Sequence, residues 1–206
     1  MKLIPAKTPG FVKSLFPNFI WNIDTKKQDL YLTFDDGPTP KITPWVLEQL
    51  KAYDAKATFF CIGSNAEKYP EILKAIIDDG HTIGNHTYNH LKGWKHKTKD
   101  YLKDVKKSET PIDSNLFRPP YGKLKNKQAK QLQQLGYKII MWDVLSFDWD
   151  VTVSQEECFD NIINSVKEGS IIVMHDSLKA ERNLRYVLPK VLEYYSKKGF
   201  EFKKLS

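Results

Sequence analysis

The sequence predicts an α/β fold built on a parallel sheet. Apolar, β-rich runs alternate with helical-period segments about seven times along the 206 residues, and such alternation joins parallel strands through right-handed crossovers. A further observation leans the sheet toward an incomplete barrel rather than an open, doubly wound one. Polar residues of catalytic type sit just past several strands: Asp35-Asp36, His86 and His90, Arg118, Asp148 and His175. Convergence of strand ends on one face is the barrel arrangement, although about seven units are fewer than an eight-fold barrel needs.

Taken in order, the first strand is Leu30-Tyr31-Leu32-Thr33-Phe34, ending at Asp35-Asp36-Gly37-Pro38. A helix follows over 43–53, with Trp45, Val46, Leu47, Leu50 and Tyr53 at helical spacing. Residues 57–62 form the second strand. Residues 66–79 form a helix with a buried stripe of Ile72, Leu73, Ile76 and Ile77 and a stop at Gly80. Next come a short strand at 81–84, a charged amphipathic helix at 98–108, and a strand at 116–118 stopped by Pro119-Pro120. A helix at 126–135 ends at Gly136, and a strongly apolar strand runs over 137–142. The helix at 154–167 opens with a capping box, Ser154 and Glu157. A strand at 170–174, a helix at 184–198 and a closing strand at 200–202 complete the chain. Residues 1–25 read as an N-terminal extension packed on the barrel and 26–206 as one domain, near the prior of roughly 100–200 residues per domain.

Composition narrows the function classes. A hydrophobic fraction of 41% and an aromatic fraction of 13% exclude a wholly disordered chain. Lys+Arg 32 against Asp+Glu 25 gives +7, a balance that suits nucleic acid, a membrane surface or an acidic glycan. Arginine, the residue suited to bidentate phosphate recognition, occurs only at Arg118, Arg182 and Arg185. The lysines between Lys92 and Lys107 spread around a helix as a solvated face does, so no nucleic-acid partner is expected. No run approaches the roughly 18 apolar residues of a membrane span. Residues 1–23 lack a continuous apolar core and a small-residue cleavage site. A cytoplasmic location is therefore expected, with leaderless export or cell-surface association as the alternatives. Two cysteines, Cys61 and Cys158, fit a reducing compartment. A monomer is the expected oligomeric state.

The chemistry gathers in four places. Asp35 and Asp36 are adjacent carboxylates at a strand end, which repel unless a cation or proton intervenes. His86-Thr87-Tyr88-Asn89-His90 spaces two imidazoles at i, i+4, on one face if the segment is a helical turn. With one Asp of the pair they make a two-His, one-carboxylate set that leaves open positions, suiting zinc, cobalt, iron or nickel. His175, after a strand, suits general acid work. Arg118-Pro119-Pro120-Tyr121-Gly122 offers a guanidinium to hold a carboxylate and a backbone N–H for a developing oxyanion.

In this order the motifs resemble the polysaccharide deacetylases with a NodB-homology domain, carbohydrate esterase family 4. The matching segments are Thr33-Phe34-Asp35-Asp36-Gly37-Pro38, His86-Thr87-Tyr88-Asn89-His90, Arg118-Pro119-Pro120-Tyr121-Gly122, Asp148-Trp149 and Val173-Met174-His175-Asp176. The resemblance implies a distorted (β/α)7 barrel and metal-dependent removal of N- or O-acetyl groups from a glycan such as one containing N-acetylglucosamine. It implies Asp35 as base, His175 as acid, Arg118 orienting Asp35, and the Tyr121 N–H stabilising the oxyanion. It further implies Asp36, His86 and His90 on one divalent metal, zinc first, and Trp149, Val173 and Pro120 at the substrate. One departure stands out. The family's fourth motif, Asp-x-x-Asp-Trp, has Leu145 in place of its first Asp, which leaves Asp143 or Asp148 to help hold Arg118. It also raises a second reading, a catalytically weak glycan-binding protein of the same fold.

Overall fold

A computed structural model describes residues 5–206. Along strand β1 (Asp29–Asp35) successive side chains take opposite faces of the sheet. Leu30, Leu32 and Phe34 join the cluster under the helices, Tyr31 packs on the inner cluster, and Thr33 and Asp35 both reach Arg118. Strand β2 (Ala57–Cys61) alternates likewise, with Phe59 under the helices and Phe60 inside, and all five of its residues are buried. Burial on both faces is the condition of a parallel strand covered by helices.

The remaining strands are β3 (Thr82–Asn85), β4 (Leu116–Phe117), β5 (Lys138–Ile139), β6 (Val144–Leu145), β7 (Ile171–His175) and β8 (Glu201–Phe202). Their order is β5-β4-β3-β2-β1-β7-β6, with β8 beside the start of β1, and every ladder is parallel. The helices are α1 (Gly10–Leu15), α2 (Ile42–Ala52), α3 (Gly63–Lys68), α4 (Pro70–Asp78), α5 (Thr98–Lys107), α6 (Asn126–Gln134), α7 (Gln155–Ile163) and α8 (Glu181–Lys197). Together they form a distorted (β/α)7 barrel. No helix of the described residues is long and apolar enough to cross a membrane.

Four local expectations need correction. The helix expected at 66–79 is two helices, α3 and α4, because Pro70 lacks an N–H and Tyr69 before it leaves the helical region (φ −127°, ψ 59°). Ile77, placed in the buried stripe, is 49% exposed. The strand expected at 137–142 pairs only over Lys138–Ile139, and Val144–Leu145 forms a separate strand that periodicity over two residues does not reveal. At α7, Glu157 N–H donates to the Ser154 hydroxyl at 3.0 Å, supplying one half of the expected capping box.

Consecutive strands β5 and β6 end the sheet order on opposite sides, and the N-terminal segment lies along both. Ile20 pairs with Ile140, Lys7 with Val144 and Asn22 with Ser170. Met141 N–H donates to Ile20 O at 2.7 Å, and Leu145 N–H to Ala6 O at 2.9 Å. The expected extension begins at residue 1, and residues 1–4 lie outside the described ones. Asp143 anchors this segment. Its buried carboxylate accepts from Lys7 at 2.5 Å, from Ser170 Oγ at 2.6 Å and from Lys13.

Burial pushes the Asp143 carboxyl up, but the two ammonium groups and Ser170 outweigh it and hold it below the usual aspartate range. A depressed folded pKa contributes stability that is present above the unfolded value and lost as pH falls through the folded one. Asp143→Asn is therefore expected to lower stability at pH 7 by about 1–3 kcal/mol and to shrink that deficit on acidification. Thermal unfolding across pH 2–7 checks this; a deficit that does not change with pH refutes the ion-pair account.

Candidate active site

Asp35 closes β1 on its inner face, buried, and its Oδ1 accepts from Arg118 Nη1 at 2.7 Å. Arg118 follows β4 and is fully buried. The same Nη1 donates to Thr33 Oγ1 at 2.7 Å, Nη2 to Met141 O at 2.9 Å and Nε to Ile140 O at 3.3 Å. Its guanidinium carbon also lies 4.1 Å from the centre of the Phe60 ring. This set of partners answers the Leu145 departure. Asp143 and Asp148, expected as substitute holders of Arg118, do not hold it. Asp143 is engaged with Lys7, Lys13 and Ser170, and Asp148 with His175. Thr33 and two main-chain carbonyls do that work.

Asp36, His86 and His90 converge: one ligand atom from each lies within 4.8 Å of the others. His86 follows β3, and His90 sits in the loop beyond. The helical turn expected at 86–90 is absent, since Thr87 (φ 62°) and His90 (φ 54°) are left-handed. Their rings nonetheless lie 5.1 Å apart. His86 Nδ1 is 2.8 Å from Arg118 O. A carbonyl can only accept, so Nδ1 carries the proton and the Nε2 lone pair is free. Burial lowers the His86 pKa to about 4, with the His90 and Arg118 charges adding and those of Asp35 and Asp36 opposing, so the ring is neutral at neutral pH.

Asp36 Oδ1 lies 3.1 Å from His90 Nε2 and 3.7 Å from His86 Nε2, yet it is buried with no donor aligned on it. Burial alone would raise the Asp36 carboxyl. The His90 contact and the charges of His175, His86 and His90 prevail and hold it well below the carboxylate range. A buried carboxylate oxygen without a donor, facing two imidazole nitrogens, is a donor set that fits a divalent cation.

Across the cavity, His175 ends β7. Asp148 accepts from its backbone N–H at 2.7 Å and pairs with its Nδ1 at 2.9 Å. Burial would lower the His175 pKa, but the charge and hydrogen bond of Asp148, with Asp36 and Asp35 behind them, raise it to about 9. Asp176, next along the chain, accepts from Gly37 N–H at 3.0 Å and Thr43 Oγ1 at 2.5 Å. Burial and the Asp36 charge raise its pKa to about 7, against the lowering by those hydrogen bonds.

The cavity between these groups holds about 410 Å³. It lies within the range of small-molecule sites, roughly 300–1,000 Å³. The sequence pattern of the polysaccharide deacetylases matches residues 22–140, more than half of the chain. The chain belongs to the polysaccharide deacetylase family. It is 38% identical over 157 residues to a peptidoglycan-N-acetylglucosamine deacetylase of Bacillus cereus, covering 73% of this chain and 57% of that one. A second such deacetylase of Bacillus cereus is 32% identical, with 88% of each chain covered. The crystal structure of the Bc1960 peptidoglycan N-acetylglucosamine deacetylase superposes with a TM-score of 0.88 at 32% identity, covering 96% of this chain and 95% of that one. The chain thus spans just over half of the first relative and most of the other two.

As a member of the polysaccharide deacetylase family, the chain carries most of the expected site residues on the cavity wall: Asp35, Asp36, His86, His90, Tyr121, Trp149, Val173 and His175. Arg118 stands behind Asp35. Pro120 is the exception. It is buried away from the lining, and Pro119 takes its place. Pro119 is extended (φ −72°, ψ 130°), and neighbours in extended chain face opposite ways. Sequence reasoning missed Trp142, Leu145, Lys123 and Lys179 on the wall. Leu145 carried a signal, being apolar where the family has Asp. Phe147, beside the cavity, is buried, its ring centre 5.0 Å from that of Trp149.

Among the described residues, five of the seven non-glycine residues with positive φ belong to this site or to the loops that carry it: Asp36, Thr87, His90, Tyr121 and Phe147. Backbone strain of this kind gathers at functional sites, where surrounding contacts over-determine it. At Tyr121 (φ 60°, ψ 9°) it leaves the N–H without an acceptor among the described residues.

Proposed function

We propose that this polysaccharide deacetylase hydrolyses the N-acetyl group of an N-acetylglucosamine-containing glycan, peptidoglycan first, with a divalent cation on Asp36, His86 and His90. The observation that carries the reading is the donorless Asp36 oxygen facing two imidazoles, flanked by Asp35 on Arg118 and His175 on Asp148. Zinc suits this ligand set, with cobalt, iron or nickel as alternatives. Such a cation, when bound, supplies Lewis acidity to the acetyl carbonyl and lowers the pKa of water.

The residues divide the rest. Arg118 fixes Asp35 Oδ1, leaving Oδ2 to take a proton from water as its oxygen adds to the acetyl carbon. The Tyr121 N–H faces the oxyanion that develops. The C–N bond then breaks as protonated His175 gives its proton to the departing nitrogen. Bond breaking releases acetic acid and a free amine, with one proton gained by Asp35 and one lost by His175; the acetic acid then gives its own proton to the amine, leaving acetate and an ammonium. Leu145, Trp149 and Val173 supply an apolar wall for the acetyl methyl. The departure behind the weak-binding alternative is accommodated, because Arg118 has its partners without a fourth-motif Asp.

Acetate release from peptidoglycan fragments and chitin oligomers tests this reading. Release should stop on removing metal with a chelator and return with zinc or cobalt; metal-loaded protein inert on every acetylated sugar refutes it. The alkaline limb is a second check. His175 must be protonated to act as acid, so kcat/KM should fall about tenfold per unit as pH rises above about 9. Asp148→Asn removes the charge that raises His175, and the limb should move toward neutral pH. A limb that stays in place in that variant removes His175 from the acid role.

A further inference from the structure

The loop between the two histidines is held against its backbone preference. Thr87 is β-branched and left-handed, and His90 is left-handed too, conformations that persist only where neighbours enforce them. Part of the enforcement is local: Asn85 Oδ1 accepts from Thr87 N–H at 2.8 Å, and Thr87 Oγ1 from Leu91 N–H at 3.0 Å. A second part comes from α3, where Gly63 N–H donates to Thr87 O at 2.9 Å and Ser64 N–H to Tyr88 O at 3.1 Å, and a third arrives from α5. Asp104, 8% exposed and outside the cavity, accepts from Tyr88 N–H at 2.9 Å and Asn89 N–H at 3.0 Å on Oδ1, and from Asn89 Nδ2 at 2.5 Å on Oδ2.

No ion pair involves Asp104 among the described residues. Burying a carboxylate is unfavourable unless hydrogen bonds offset it, and here all three come from the loop between the histidines. We propose that Asp104 is a positioning residue for the metal centre. It sets the loop so that His90 Nε2 faces Asp36 before a cation arrives, and so raises metal affinity without touching the metal. This rests on the metal site proposed above.

Metal binding, read without turnover, tests it. The full chain is stripped with a chelator and titrated with zinc against a zinc-binding indicator. Asp104→Ala should weaken zinc binding about 10- to 100-fold, the range for groups that orient ligands. Asp104→Asn keeps the shape and an acceptor for the two backbone N–H groups but sets an amide against the Asn89 amide. It should fold and still lose about fivefold or more. Val105→Ala is the control. Val105 is the next residue, buried in an apolar cluster, so this variant should lower the melting temperature yet hold zinc affinity within about twofold.

Wild-type affinity in both Asp104 variants overturns the proposal, and so does an equal loss in Val105→Ala. The two readings separate cleanly: a wild-type chain that binds no zinc removes the metal site and this proposal together. Normal zinc binding by the Asp104 variants leaves the metal site standing and removes only the role of Asp104.

Discussion

Asp35→Asn is expected to lower kcat for acetate release on the order of 10²- to 10⁴-fold, the usual contribution of a general base. The substitution is conservative in shape. The asparagine carbonyl still accepts from Arg118 Nη1, as Asp35 Oδ1 does at 2.7 Å, so the buried guanidinium keeps a partner. What changes is the second oxygen, replaced by an NH2 that cannot take a proton. Asp36, His86 and His90 are untouched, and metal content should equal that of the wild type. Steady-state kinetics with metal analysis on the same sample decide the matter. A variant within tenfold of wild type sinks Asp35 as the base.

Arg118→Met should be the most destabilising single change at the site, by about 3–5 kcal/mol, because it leaves the buried Asp35 charge without its partner. The Met141 and Ile140 carbonyls and Thr33 Oγ1 lose a donor as well. For a chain of this size that is roughly 6–20 °C in melting temperature. The double variant Asp35→Asn, Arg118→Met should be more stable than Arg118→Met alone, since the uncompensated charge is gone. Thermal unfolding of all four members of the cycle measures it. A double variant no more stable than Arg118→Met would show that Arg118 acts through packing on Phe60 rather than through the ion pair.

These predictions mark where sequence and structure divide the work. Leu30 to Phe34 and Ala57 to Ile62 read as strands from the sequence because burial on both faces demands near-continuous apolar residues, broken here only by Thr33 and Thr58. The residue types of the site were equally legible. Adjacent carboxylates at Asp35 and Asp36 and two imidazoles four apart narrow the chemistry before any contact is known. Even there local reasoning reached too far, for the helical turn that would align His86 and His90 is a strained loop.

Hydrogen bonds along a helix or within a turn leave a period or a spacing in the sequence, so the sequence by itself determined the barrel's repeating units and the ligand types. Partnerships across the barrel leave none. Arg118 meets Asp35 over 83 residues and Lys7 meets Asp143 over 136, distances along the chain that only the strand order brings to zero. The tertiary structure alone therefore decided that Thr33 and two carbonyls replace the missing acid at Leu145 and that Pro119 rather than Pro120 faces the cavity. It alone placed a carboxylate on α5 beneath the loop that carries His90.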